Sequence, residues 1–147
     1  MQFKVITKKS KETNDLLNIL KTEWGDAFQW LTDVIDVWSQ RGFPQIVVAL
    51  NDGEVIGHYS LVSHELVKDD YGYTPWLGTL FIRKKYRGHN YGSILLEDAC
   101  RRVKNMGYNN LFLATQHIQY YEKFDFKEIG LGIYNWGEPT KFYQKEL

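Results

Sequence analysis

A single cysteine among 147 residues excludes an internal disulfide, so packing and hydrogen bonds have to hold the fold. Cys100 and the four histidines do not cluster at zinc-ligand spacing, and no metal centre is expected. An excess of either charge is missing as well. The 18 Lys and Arg balance 18 Asp and Glu, which speaks against a general nucleic-acid or membrane-surface role. No apolar run approaches membrane-spanning length, and Met1-Gln2-Phe3-Lys4-Val5 lacks the apolar centre of a signal peptide. The expectation is a soluble cytoplasmic protein with neither a membrane nor a nucleic-acid partner. Internal repeats, linkers and low-complexity stretches are absent, and the length suits one domain over residues 1–147.

What is present is a patterned chain. Phe3 and Val5 alternate with polar neighbours as in a short half-buried strand. Thr13, or Ser10 before it, can cap a helix carrying Leu16, Leu17, Leu20 and Trp24 on one face, which Gly25 breaks. Asp26 can cap the next, whose apolar stripe runs from Ala27 and Phe28 through Leu31, Val34 and Ile35 to Trp38. Gln45 to Leu50 reads as a strand covered on both faces, Asn51-Asp52-Gly53 as a hairpin turn, and Val55 to Ser63 as the returning strand. His64 to Thr74 reads as a loop or ragged hairpin end, and Trp76 to Ile82 as a further strand. A periodic helix follows from Tyr91 to Met106, with Gly107 placed for a left-handed cap. Then come a strand over Asn110 to Ala114, a short helix over Ile118 to Phe124, and strands over Phe126 to Ile133 and Thr140 to Lys145. The order β-α-α-β-β-β-α-β-α-β-β implies an α/β (α+β) fold, a mixed sheet of about six to seven strands with about four helices.

Chemistry concentrates where the strand Trp76–Ile82 runs through Arg83, Lys84, Lys85 and Arg87 into Gly88-His89-Asn90-Tyr91-Gly92-Ser93. Strand, glycine-containing turn and helix N-terminus together suit phosphate binding. The first helical N–H groups have no internal partner, and the helix dipole adds partial positive charge there. Arg87-Gly88-His89-Asn90-Tyr91-Gly92 resembles the Arg/Gln-x-x-Gly-x-Gly/Ala signature of the GNAT superfamily of acyl-CoA-dependent N-acetyltransferases, with Asn90 where that family usually has Gly. Asn is the residue after glycine that best tolerates a left-handed conformation. Tyr121-Glu122-Lys123-Phe124-Asp125-Phe126 resembles the family's Tyr-Glu-Lys-x-Gly-Phe segment, with Asp125 in place of Gly. The order of elements is also similar to the GNAT fold, so the resemblance covers the whole chain.

The resemblance implies acetyl-CoA as co-substrate and no metal. It places the pyrophosphate on Arg87, Gly88, His89, Asn90, Tyr91, Gly92 and Ser93, and the pantetheine arm along Leu80, Phe81 and Ile82. Thr115, Tyr121 and Lys123 complete the expected cofactor contacts, and Tyr121 is the expected general acid for the departing thiolate. Acetyl would pass directly to an amine in a ternary complex. The alternative is a non-catalytic acyl-CoA-binding or regulatory domain, favoured by the exchanges at Asn90 and Asp125 and by a strand Trp76–Ile82 without a carboxylate.

No general base is legible; His58, His64, Glu65, Asp69 and Asp70 are candidates, and a water chain is another. Cys100, on the apolar side of its helix, reads as a structural thiol. Tyr73, Trp76, Tyr134 and Trp136, with acidic residues among them, are the expected acceptor-binding residues, suited to a small polar or cationic primary amine. The protein is expected to be a monomer or a homodimer.

Overall fold

The computed structural model describes residues 1–147. Its seven strands and three α-helices are β1 (Gln2–Ile6), α1 (Thr13–Glu23), α2 (Gly25–Asp33), β2 (Gln45–Asn51), β3 (Glu54–Val62), β4 (Trp76–Ile82), α3 (Tyr91–Asn105), β5 (Asn110–Thr115), β6 (Lys127–Ile133) and β7 (Pro139–Glu146). The strands join in one mixed sheet in the order β1-β2-β3-β4-β5-β7-β6. The residues divide into two compact units, one of Met1–Leu61 with Thr79–Asp98, the other of Val62–Gly78 with Ala99–Leu147.

In the first unit β1, β2 and β3 pair antiparallel. Asp52 and Gly53 both have positive φ (51° and 80°), as a two-residue hairpin turn needs to match strand twist. The core is Ile6, Ile46, Val48, Leu50, Val55 and Phe81 from strands, with Leu16 and Leu20 of α1 and Ala27 and Leu31 of α2. Burying such a side chain contributes roughly 1.5–3 kcal/mol. Tyr59 on β3 donates its hydroxyl to Asp98 of α3 at 2.6 Å.

Helix ends differ from expectation. Glu12, not Thr13 or Ser10, is the N-cap of α1, without a side-chain bond. The Thr13 hydroxyl donates instead to the Thr7 carbonyl (2.6 Å), and the Ser10 hydroxyl accepts the Thr7 N–H (2.9 Å). Gly25 is the first residue of α2 rather than a break, so Asp26 lies in the first turn and does not cap it. α2 ends at Asp33, and Ile35–Val37 forms a single 3-10 turn. The β-branched Val34, Ile35 and Val37 are poor helix formers. Trp38 still reaches the core.

In the second unit β5 and β7 pair antiparallel, β7 pairs antiparallel with β6, and Trp76 and Leu77 pair in parallel with Phe112 and Leu113. Its core is aromatic. Tyr73 stacks on Phe112 at 4.7 Å, and the Trp76 and Phe142 rings meet edge-on at 5.2 Å. α3 ends as expected at Gly107 (φ 98°). Gly107 N–H donates to Lys104 and Tyr108 N–H to Val103, which satisfies the last carbonyls of the helix. The short helix expected over Ile118–Phe124 is only a 3-10 turn, Tyr121–Phe124. Gln119 with φ 64° and Asp125 with φ 66° interrupt helical geometry on either side, leaving three α-helices rather than about four. No helix is long and apolar enough to cross a membrane.

Candidate active site

The glycine-containing loop lies in the first unit. Arg83 N–H donates to Ile56 (2.9 Å) and tethers the end of β4, a 3-10 turn covers Lys84–Tyr86, and the chain then bends through Gly88 (φ 88°) and Asn90 (φ 60°) into α3. Nothing lies within 4 Å of where a Gly88 Cβ would stand, so this glycine serves backbone conformation and an open approach. Ser93 Oγ donates to the Asn90 carbonyl at 2.8 Å and braces the turn. Residues 87–90 are exposed, and the N–H groups of the first turn from Tyr91 have no partner within the helix. A solvent-facing bend with two left-handed residues ahead of a helix N-terminus fits an anionic group such as a pyrophosphate.

The basic run beside it is less cationic than its sequence implies. Arg83 and Lys85 both bond Glu54 at 2.9 Å, and Arg83 lies 3.9 Å from Glu23. Hydrogen bonds from Lys85 and Tyr86, with the charges of Lys85 and Arg83, hold the Glu54 carboxyl down at about 2. Arg87 is exposed; its Nε donates to the Ile82 carbonyl (3.0 Å) and its guanidinium lies 5.9 Å from the Phe81 ring centroid. Leu80 and Ile82 are half-buried, whereas the Phe81 ring is in the core, so only its main chain is open to a ligand.

A polar cluster lies on β3 and β4, of which only His58 is among the expected candidates. His58 Nε2 is 2.8 Å from Thr79 Oγ1, which is 2.7 Å from Ser60 Oγ, and Thr79 N–H donates to Ser60 Oγ (2.8 Å). His58 is fully buried, with no partner at Nδ1, and burial pushes its pKa down to about 3, so the ring is neutral. The available signal was His58 and Ser60 at i and i+2, two polar residues on one face of a buried strand.

Tyr121 lies in the second unit, half-buried, its ring 4.9 Å from Tyr120 and 5.9 Å from Phe126 in edge-on contacts. Burial, then the neighbouring Tyr120 and Tyr134, push its pKa up, which keeps the phenol protonated. Asp125, left-handed, closes the turn with its N–H on Glu122. Thr115 is buried with Oγ1 accepting the His117 N–H (3.0 Å), while Lys123 is exposed.

Of the expected acceptor residues, Tyr134 and Trp136 are brought together. Their rings stack at 4.4 Å and 9°, and Trp136 Nε1 donates to Glu138 Oε1 (2.8 Å). Trp136 is 58% exposed. Tyr73 stacks half-buried on Phe112. Trp76 is a correction: it is fully buried with its Nε1 donating to the Tyr73 carbonyl, so its side chain has no surface left for an acceptor. Cys100 is buried, and no group of three metal-ligating side chains is assembled.

Comparison with known proteins follows the same lines. A GNAT family acetyltransferase from Elizabethkingia anophelis, solved with acetyl-CoA bound, superposes with a TM-score of 0.69 at 19% identity, over 99% of this chain and 97% of that one. The aminoglycoside 6'-N-acetyltransferase from Enterococcus faecium superposes with a TM-score of 0.75 at 17% identity, over 99% and 97%. An IAA acetyltransferase from Bacillus cereus does so with a TM-score of 0.65 at 20% identity, over 99% of both chains. At these identities the likeness is one of fold. No curated protein sequence matches the chain. The sequence profile of the Acetyltransferase (GNAT) family matches residues 13–126, well over half the chain, and the protein belongs to that family.

Proposed function

We propose that residues 1–147 act as a single cytoplasmic N-acetyltransferase domain that moves acetyl from acetyl-CoA directly to a small polar or cationic primary amine in a ternary complex. The carrying observation is the bend through Gly88 and Asn90 ahead of α3, both at positive φ. It suits the pyrophosphate, with Arg87, His89, Tyr91, Gly92 and Ser93 around it. The main chain of Leu80, Phe81 and Ile82 takes the pantetheine arm as a neighbouring strand would, and Thr115 and Lys123 add contacts. Tyr121 donates a hydrogen bond to sulfur as the C–S bond opens, a role served by a phenol that burial keeps protonated. Tyr73, Tyr134 and Trp136 face the acceptor. Stacked rings beside carboxylates attract an ammonium, and a fold shared with an aminoglycoside acetyltransferase is consistent with that class.

The pairing of Arg83 and Lys85 with Glu54, with Glu23 beside Arg83, lowers the local charge that a nucleic-acid reading would need. The exposed Leu131 and Ile133 on β6, last in the sheet order, leave room for a homodimer as well as a monomer.

The test is release of free thiol from acetyl-CoA across amines, amino acids, polyamines, aminoglycosides and peptides. Cationic primary amines are expected to drive release, and Tyr121→Phe to lower turnover by roughly 10²-fold with unchanged acetyl-CoA affinity. Release with neutral or acidic acceptors alone would sink the cationic class. Release with none, alongside tight acetyl-CoA binding, would favour the non-catalytic alternative.

A further inference from the structure

Most groups near the acceptor residues that could take a proton are already engaged. Asp69 Oδ1 accepts the Tyr71 N–H at 2.8 Å. Asp70 accepts the Gly72 N–H at 3.0 Å and lies 2.6 Å from His64 Nδ1, and these contacts, His64 first, hold its carboxyl below the usual range. His58 belongs to the buried hydroxyl cluster of the first unit. Glu138 accepts the Trp136 indole N–H and is exposed.

Glu65 differs from all of them. Its Oε1 accepts only the N–H of the next residue, Leu66 (2.8 Å), no lysine or arginine pairs with it, and it is half-buried. Burial pushes its carboxyl up to about 7. The stretch that follows it is bonded to the aromatic segment. Asn135 N–H donates to the Leu66 carbonyl (3.0 Å), Val67 bridges Tyr134, and Lys68 N–H donates to Ile133 (2.9 Å). Glu65 therefore opens a short stretch hydrogen-bonded to the segment that carries the Tyr134–Trp136 stack. The charges of Glu65 and Glu138 are both felt at the Tyr134 hydroxyl, and Tyr134 is felt in turn at Tyr121. The second unit alone thus draws together an unpaired carboxylate, a stacked aromatic face, a second carboxylate and the phenol.

We propose that Glu65 is the general base of the transfer, receiving the proton of an acceptor ammonium that lies on the Tyr134–Trp136 face. The proposal rests on the amine-acetyltransferase reading above and adds the residue which that reading lacks. An ammonium N–H bond breaks, its electron pair stays on nitrogen, and the proton goes to the Glu65 carboxylate. The nitrogen lone pair forms the bond to the thioester carbonyl carbon, the C–S electron pair leaves on sulfur, and a second nitrogen proton reaches the thiolate, with Tyr121 hydrogen-bonded to that sulfur. Glu65 then returns its proton to water. Ammonium plus thioester has become amide, thiol and one proton.

An ordinary carboxylate is a weak base toward an alkylammonium of pKa near ~10.4, and one titrating near neutrality is far better matched. Because kcat/KM reports the free enzyme, Glu65 should appear there as an ascending limb. The ionisable group that feels its charge is Tyr134, which also feels Glu138 and is felt in turn at Tyr121.

The experiment is kcat/KM against pH from about 5.5 to 9, with acetyl-CoA saturating and a primary amine or polyamine that the wild type acetylates. The wild type is expected to rise through pH about 7. Glu65→Gln should lose that limb and roughly 10²-fold or more of kcat, with unchanged KM for acetyl-CoA and no fall in melting temperature. Glu65→Asp should recover part of both rate and limb. A Glu65→Gln enzyme with wild-type rate and profile would overturn the proposal. So would a wild-type profile with no limb near 7, whether or not the variant folds. A wild type that acetylates no amine at all fails on the earlier reading instead, and takes this one with it.

Discussion

Asn90 and Asp125 hold φ of 60° and 66°, a conformation that disfavours L residues, least of all Asn and Asp. Each stands where the GNAT motif usually has glycine, and each keeps the backbone that glycine would take. The exchanges therefore bear on local strain and leave the course of the loop intact. Asn90→Gly removes that strain but adds chain entropy of about 0.5–1 kcal/mol to the unfolded state. The two effects nearly offset, so calorimetry should find acetyl-CoA affinity preserved or slightly tighter, within about threefold. A loss of tenfold or more would mean that the loop uses the Asn90 side chain itself, and the cradle would have to be redrawn around it.

The β3–β4 region shows how little room this chain leaves at its strands. A Cβ on Gly57 would stand 2.2 Å from the Phe81 carbonyl oxygen and 3.1 Å from Ile82 Cδ1, and the obstacle is main chain, which cannot swing aside. β3 also carries a register shift against β2 between Ala49 and Leu50, opposite Gly57. Gly57→Ala should force β4 away and destabilise the fold by about 1–3 kcal/mol, a drop of several degrees in melting temperature. It should also weaken acetyl-CoA binding, because Phe81 and Ile82 belong to the strand proposed to take the pantetheine. An unchanged melt would show that the strands can separate at no cost. At this scale, elements were legible where a local residue choice decides them, such as Asn51-Asp52-Gly53 for the hairpin and Gly107 for the end of α3. They were not legible where distant contacts or subtle propensities decide. The end of α2 depends on β-branched residues inside an apolar stripe that continues to Trp38. The pairing of Glu54 with Arg83 and Lys85 joins residues about 30 positions apart. Tyr121 carries a sequence motif, whereas Glu65 stands out only once the 66–68 stretch is seen bonded to residues 133–135.

For the whole chain the formal charge is zero, so the pH dependence of stability is governed by individual shifted groups rather than by net repulsion. Two of these oppose each other. His58 is pushed down to about 3 from an ordinary 6.5, so between those values the unfolded chain binds the extra proton and stability rises with pH. Glu65 is pushed up to about 7 from 4.5, so between those values the folded chain binds the extra proton and stability falls with pH. Where the windows overlap, from 4.5 to 6.5, the slopes have opposite sign and similar size, and stability should be nearly level. Below 4.5 His58 acts together with the depressed Glu54, Glu12 and Asp70, and the fold should weaken steeply with acid. Denaturant unfolding at half-unit pH steps tests the balance through two single variants. His58→Gln should expose the Glu65 slope, with stability declining as pH rises through the overlap. Glu65→Gln should expose the His58 slope, with stability climbing over the same range. If each variant keeps the wild-type pH dependence and is merely offset from it, neither group titrates with folding. The neutrality of the His58 ring and the raised basicity assigned to Glu65 would then both be wrong.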